Sequence, residues 1–164
     1  MANLESLFKE LYQSNYSKVY RLCLGYMKGD AMLASELSQE VFIKVWENLY
    51  SFRQESAAST WIYRITVNTC LIHLRKKKEI SISKVLNTIE AESEEDLIHE
   101  NTEQNLRNLY ACIDTLNKEN KSIILLELEG IPQKEIADIM GLNHDAIRVR
   151  IHRIKNELTK CVQK

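Results

Sequence analysis

Glycine and proline are nearly absent from this chain, with four and one among 164 residues. Sandwiches and barrels need many turns, and turns draw on these two residues for backbone angles that others resist. The scarcity therefore directs the chain towards helices. Its apolar pattern agrees. Leu4, Leu7, Phe8, Leu11, Tyr12 and Tyr16 fall at helical spacing, and Val19, Leu22, Cys23 and Tyr26 continue the series until Gly29-Asp30 breaks it. A second helix is expected from about Ala31 to Tyr50, with Leu33, Leu37, Val41, Val45 and Leu49 as its stripe, broadened by Phe42 and Trp46. A polar stretch follows, in which Ser56, Ser59 and Thr60 are candidate caps. The third helix is expected from Trp61 to about Lys78, burying Ile62, Ile65, Thr69 and Ile72 and presenting Arg64, Asn68 and Arg75.

Charge divides the rest of the chain. The net value is −1, but residues 1–78 sum to +4, residues 79–105 to −7 and residues 106–164 to +2. The acidic run from Thr88 to Glu103 offers only Ile89, Leu97 and Ile98 for burial, too little to offset its ordering entropy, so it reads as a linker. Two mildly basic segments on either side of an acidic one suit a nucleic-acid binder whose net charge conceals its patches.

Beyond the linker, Leu106, Leu109, Ile113 and Leu116 mark one helix. Ile123, Ile124, Leu126 and Leu128 mark another, which stops at Gly130-Ile131-Pro132. Gln133 to Met140 forms a third, with Ile136, Ala137 and Met140 inward, and His144 to about Lys160 a fourth, with Ile147, Ile151, Ile154 and Leu158 as its stripe. Arg148, Arg150, His152, Arg153 and Lys155 are expected outside it.

The last two helices have helix-turn-helix spacing. Ala137 is small where they would approach, Gly141 suits the turn, and Asn143 can cap the second helix, whose N-terminal end would enter a major groove. Arg148 and Arg153 can bond guanine edges or phosphates, with His144, Asp145 and His152 close enough to join them. An antiparallel helix pair with charged surfaces would share the periodicity, but the small residue, turn glycine, cap and cationic helix together favour DNA binding.

Other classes find no support. The chain carries no glycine-rich phosphate loop, G-x-S-x-G or H-E-x-x-H. The four cysteines, Cys23, Cys70, Cys112 and Cys161, lie tens of residues apart without metal-ligand spacing and are expected as buried, reduced thiols. No catalytic residue, metal, cofactor or small-molecule substrate is indicated. No apolar run approaches a membrane span, and Met1 to Glu10 lacks an export pattern, so a cytoplasmic chain is expected.

Nearly the whole sequence resembles the bacterial RNA polymerase sigma factors of the sigma-70 family, in the extracytoplasmic-function (ECF) group. Glu36-Leu-Ser-Gln-Glu-Val-Phe-Ile-Lys-Val-Trp46 is similar to the region 2.2 helix that docks on the clamp helices of the polymerase. Phe52, Thr60-Trp-Ile-Tyr-Arg-Ile65, Asn68 and Leu74-Arg75-Lys76 resemble regions 2.3 and 2.4, which melt the promoter and read its −10 element. Residues 112–160 resemble region 4, whose helix-turn-helix reads the −35 element. The resemblance implies an all-α chain of two small helical domains, residues 1–78 and 105–164, joined by an acidic linker, 79–104.

The implied partners are core polymerase, promoter DNA and an anti-sigma factor. Glu36, Gln39 and Glu40 would hold polymerase. Phe52, Arg53, Trp61, Arg64, Asn68, Arg75 and Lys76 would handle the downstream element, with Trp61 and Tyr63 as candidates to stack an unpaired base. Asn143, His144, Asp145, Arg148, Val149, His152 and Arg153 would face the upstream one. Three departures bear on the DNA surfaces: Ile72 stands where the family usually has Asp, and Ala146 and Val149 replace the usual Thr and Ser. Lys121 for Arg and Glu36 for Asp keep their charge. A stand-alone dimeric repressor would leave the docking helix unexplained, and a purely protein-binding adaptor would leave the helix-turn-helix unused. The acidic linker is read either as a thread through the polymerase cleft that mimics nucleic acid or as a solvated tether.

Overall fold

A computed structural model describes residues 2–84 and 100–164. The linker expectation falls mainly on residues 85–99, which lie outside them. The described residues form seven α-helices and a short 3₁₀ turn: α1 (Ala2–Tyr26), α2 (Ala31–Asn48), the turn (Leu49–Ser51), α3 (Ala58–Lys84), α4 (Glu100–Asp114), α5 (Lys118–Leu128), α6 (Gln133–Met140) and α7 (His144–Val162). The last turns of α3 and the first turn of α4 occupy positions expected in the linker.

Helices α1 to α3 form the first lobe. Lys28 and Gly29 take positive φ between α1 and α2, and the Asp30 side chain then caps α2 by accepting the Leu33 N–H at 3.1 Å. Leu37, Val41, Phe42 and Val45 are buried as the periodicity requires, but Trp46 is 45% exposed. Helix α3 starts three residues before the expected Trp61. Its first turn closes on Ala57, whose carbonyl accepts the Trp61 N–H, so Ser59 and Thr60 lie inside the helix and are free for other bonds. The buried stripe of α3 is Ile62, Tyr63, Thr66, Val67 and Cys70, with Thr69 buried beside it, whereas Ile72 is 38% exposed. Ile62 and Thr69 are inward as expected, but Tyr63 and Val67, rather than Ile65 and Ile72, complete the apolar face.

Helices α4 to α7 form the second lobe, with α7 lying against each of the other three. Helix α5 begins at Lys118, a turn before the expected apolar run, because the Asn117 side chain caps it by accepting the Asn120 N–H. Lys121 through Leu126 are all buried, whereas Leu128 is 53% exposed. A helix covered all round lies between two layers. Here the second layer is the first lobe.

That contact is close. A Cβ on Gly25 of α1 would sit 2.5 Å from Leu125 Cδ2, so glycine is what lets α5 approach. Beside it the Tyr26 hydroxyl donates to Ser122 Oγ, and burial pushes the Tyr26 phenol far above its ordinary range. Arg21 Nε donates to Glu129 Oε2 at 2.7 Å. Asp114, at the end of α4, receives Lys121 Nζ at 2.9 Å and Lys28 Nζ of the first lobe at 3.0 Å. Burial works against the Asp114 carboxylate, but the two ammonium groups outweigh it and hold its pKa below the ordinary value.

A depressed pKa means the tie contributes above the carboxylate range and is lost as pH falls through the lowered value. Asp114→Asn leaves the nearly buried Lys121 ammonium unpaired and should cost about 1–3 kcal/mol at neutral pH. Denaturant unfolding at pH 7 and at pH 3 checks it, the difference between variant and parent shrinking at the lower pH.

The cysteine expectation needs one correction. Cys23 and Cys70 are buried free thiols, but Cys112 and Cys161 form a disulfide. Helices α4 and α7 run side by side, so residues 49 positions apart meet with their Cα atoms 5.9 Å apart.

Candidate nucleic-acid interface

The helix-turn-helix is built by local backbone chemistry. Gly141 ends α6 in the left-handed region at φ 67°. Leu142 N–H returns to the Ala137 carbonyl at 2.9 Å, and Ala137 itself is buried, as a close helix pair requires. Asn143 then turns the chain into α7, its Oδ1 accepting the Asp145 N–H at 2.8 Å. Ile147, Ile151, Ile154 and Leu158 are buried, which leaves His144, Asp145, Ala146, Arg148, Val149, His152 and Arg153 exposed along one side.

Two other cations outside the stripe, as expected, are held by carboxylates of α5. Arg150 Nη1 meets Glu119 at 2.6 Å and Lys155 Nζ meets Glu127 at 3.1 Å, so both brace α7 on α5. Spacing along one helix could not reveal this, because the carboxylates sit on another. Arg148 reaches only Asp145, at 3.6 Å and with both side chains mostly in solvent, a weak tie that a phosphate or guanine can replace. Arg153 has no ion-pair partner among the described residues.

In the first lobe, Glu36, Gln39 and Glu40 are exposed along one side of α2, where Glu40 meets Lys44 at 3.3 Å. Met32 and Ile43, 75% and 58% exposed, share that side. The sequence contained the clue to them, since both interrupt an otherwise polar face off the Leu37/Val41/Val45 stripe.

The downstream set divides. Phe52 and Trp61 stack with ring centroids 4.6 Å apart and an interplanar angle of 25°, each partly exposed. Arg53, Asn68, Arg75 and Lys76 are exposed. Tyr63 is buried and its hydroxyl faces Asn15, so it is not available to stack a base. Arg64 is engaged: its Nη2 and Nε donate to the Asp138 carbonyl at 2.7 and 3.3 Å. That carbonyl is in the last turn of α6, where acceptors lack intrahelical donors and the helix dipole is negative. One turn earlier on α6, Glu135 Oε1 accepts the hydroxyls of Thr60 at 2.9 Å and Ser59 at 3.1 Å. Sequence reasoning missed Glu135 and Asp138, whose partners lie more than 70 residues away.

Fold and surface together define a class: an all-α protein of two helical lobes, the second a helix-turn-helix with an exposed, capped, cationic recognition helix. Comparison with known proteins narrows it. Sigma-70 region 2 matches residues 11–80, and Sigma-70 region 4 matches residues 106–158. The ECF RNA polymerase sigma-E factor of Escherichia coli K12 is 34% identical over 139 residues, covering 78% of this chain and 73% of that one. The ECF RNA polymerase sigma factor SigE of Mycolicibacterium smegmatis is 28% identical over 159 residues, which is 94% of this chain but 61% of the length of that relative. Among solved structures, the sigma factor RpoE of Bartonella quintana, in complex with the anti-sigma factor NepR, superposes with a TM-score of 0.74 at 19% identity, covering 95% of this chain and 96% of that one. The chain belongs to the ECF group of the sigma-70 family of RNA polymerase sigma factors.

No helix among the described residues is long and apolar enough to cross a membrane.

Proposed function

We propose that this chain is a promoter-specificity subunit that binds core RNA polymerase, directs it to particular promoters and helps to open them, in the cytoplasm where polymerase works. Residues 1–78 form the polymerase-docking and −10 domain, 105–164 the −35 domain, and 79–104 the connection. Glu36, Gln39 and Glu40 dock on polymerase, joined by the apolar Met32 and Ile43. Phe52, Arg53, Trp61, Arg64, Asn68, Arg75 and Lys76 handle the downstream element as strands part. Stacking on the Phe52/Trp61 pair is worth roughly 1–3 kcal/mol per base. Asn143, His144, Asp145, Arg148, Val149, His152 and Arg153 face the upstream element. The chain itself carries out no catalysis.

The observation that carries this reading is the presence on one chain of an exposed acidic and apolar face on α2 and a capped cationic recognition helix in α7. A dimeric repressor needs only the second. It would also have to bind DNA tightly alone, which few cationic contacts do not support.

The closed arrangement of the lobes bears on the mechanism. Elements centred about 25 base pairs apart are separated by about 85 Å of duplex at 3.4 Å per pair. A compact chain of this length has a radius of gyration of about 15 Å. One closed molecule therefore does not reach both elements. The lobes separate for promoter binding, and that separation releases Arg64 from Asp138. An anti-sigma factor, such as accompanies the Bartonella structure, would act by holding the lobes closed.

The test is transcription by core polymerase with and without this chain, with start sites mapped by sequencing. New, sequence-defined start sites are expected; their absence would overturn the proposal. Base reading is tested separately. Arg148→Ala should relax preference at one base pair of a randomised upstream element by roughly 1–3 kcal/mol. Arg153→Ala should instead weaken all sequences about equally and flatten the salt dependence by about one counterion. An unchanged preferred sequence in Arg148→Ala would remove its base-reading role.

A further inference from the structure

All four cysteines of the chain meet in pairs across helices, one pair in each lobe. Cys23 of α1 and Cys70 of α3 lie 3.7 Å apart, sulfur to sulfur, and neither is exposed. Both sulfurs are sealed from solvent, and the Cys23 sulfur, then burial, hold the Cys70 thiol far above its ordinary range. The disulfide between Cys112 and Cys161 differs in reach. Cys112 is buried, but Cys161, in the last turn of α7, is only half-buried.

We propose that Cys112–Cys161 is a reversible redox-modification site, whose substrates are low-molecular-weight thiols and disulfides, and that its state sets how firmly α4 is fastened to the recognition helix. Among the described residues of α4, only Cys112 and Ile113 are buried, whereas Leu109 is half-buried and Leu106 is 46% exposed. Burial on α4 is thus concentrated at its C-terminal end, and the bond fastens α7 to that end. On α7, Cys161 extends the buried series Ile147, Ile151, Ile154 and Leu158 by one turn. The fastener thus closes the seam on the helix that carries Arg148 and Arg153. Two residues after Cys112, Asp114 receives Lys28 of the first lobe, so the same helix end also meets the junction between lobes.

The chemistry is thiol–disulfide exchange. A thiolate attacks Cys161 Sγ, the more accessible sulfur, forming a mixed disulfide and expelling the Cys112 sulfur as a thiolate that takes up a proton. A second thiolate attacks the outer sulfur of the mixed disulfide. It leaves as a low-molecular-weight disulfide and frees Cys161, which is protonated in turn. Two thiols are oxidised to one disulfide while the protein disulfide becomes two thiols, and oxidation is the reverse. Cytoplasmic thiol pools keep most cysteines reduced, and disulfides found there are usually transient and redox-sensing. In a chain that works at polymerase, the bond forms when the pool becomes oxidised, and the second lobe then holds its upstream-reading surface more firmly. This consequence for transcription rests on the sigma-factor reading; the redox site does not.

The whole chain is poised in glutathione buffers from fully reduced to fully oxidised. At each point, cysteine state is read by alkylation and mass spectrometry, stability by thermal unfolding, and function by transcription with core polymerase. Cys112 and Cys161 are expected to become protected together as the buffer is oxidised, with a rise of about 5 °C or more in unfolding midpoint and several-fold more transcript. Cys112→Ser and the half-buried Cys161→Ser should each remain folded by circular dichroism and show neither rise. Alkylation of both residues in every buffer would overturn the proposal, as would an unchanged midpoint. So would a response retained in the double variant, which would place it on Cys23 and Cys70. Absence of transcript in all buffers would count against the sigma-factor reading, while alkylation and unfolding would still decide the redox site.

Discussion

Leu125→Asp should drive the two lobes apart while leaving each of them folded. In the closed chain Leu125 is 4% exposed and lies against Gly25 of α1, where no side chain stands between the two helices. A carboxylate there has no donor within its new surroundings, and burying one costs several kcal/mol even after relaxation. In the open form the same residue faces water. The substitution therefore penalises one arrangement and spares the other, and about 3 kcal/mol corresponds to a shift of more than a hundredfold in their ratio. The Arg21–Glu129 and Lys28–Asp114 pairs are too exposed to compensate. Small-angle scattering should register an increase from the compact radius of gyration of about 15 Å, with helix content by circular dichroism unchanged. An unaltered radius would mean that the polar bonds from Thr60 and Arg64 to α6, rather than α5, hold the lobes together.

Glu36→Lys combined with Glu40→Lys should remove the chain from core polymerase without unfolding it. Both side chains are exposed, and surface substitutions of this kind usually move stability by no more than about 0.5 kcal/mol. At an interface, by contrast, reversing two charges replaces attraction with like-charge opposition worth several kcal/mol. Glu40→Lys also turns the Lys44 pair into a repulsion on the helix itself, a cost of a few tenths of a kcal/mol. Co-sedimentation or surface binding to core polymerase should fall by two orders of magnitude or more. If affinity is unchanged, α2 is not the docking face. Ile43→Ser, which keeps the charges, would then separate an apolar docking surface from an electrostatic one.

The helix-turn-helix was the most legible part of the molecule. Its signals are local: a left-handed glycine, a capping asparagine and a four-residue apolar period all act within a turn or two, so α6 was placed residue for residue and α7 to within two. The ends of α3 and α4 were less legible, since polar residues such as Lys76 to Lys78 carry no apolar period to follow. Half of the α3 stripe is illegible for a related reason. Ile65 and Tyr63 are both acceptable core residues, and only the neighbours decide which is inward; here Asn15 and α1 take Tyr63. The arginines of α7 show the same limit. Arg148 and Arg150 look alike in sequence, and Glu119 on another helix is what withdraws Arg150.

The sequence by itself determined the helical class, the separation into two basic segments, the helix-turn-helix and its exposed recognition face. Each of these follows from spacing and turn chemistry, which act between residues close along the chain. Tertiary structure alone decided that the lobes pack together, that Arg64 is held by Asp138 and Thr60 by Glu135, and that Cys112 meets Cys161. Those contacts join residues 49 to 108 positions apart. No local periodicity encodes such pairings, because they arise only when buried faces on different helices have found one another.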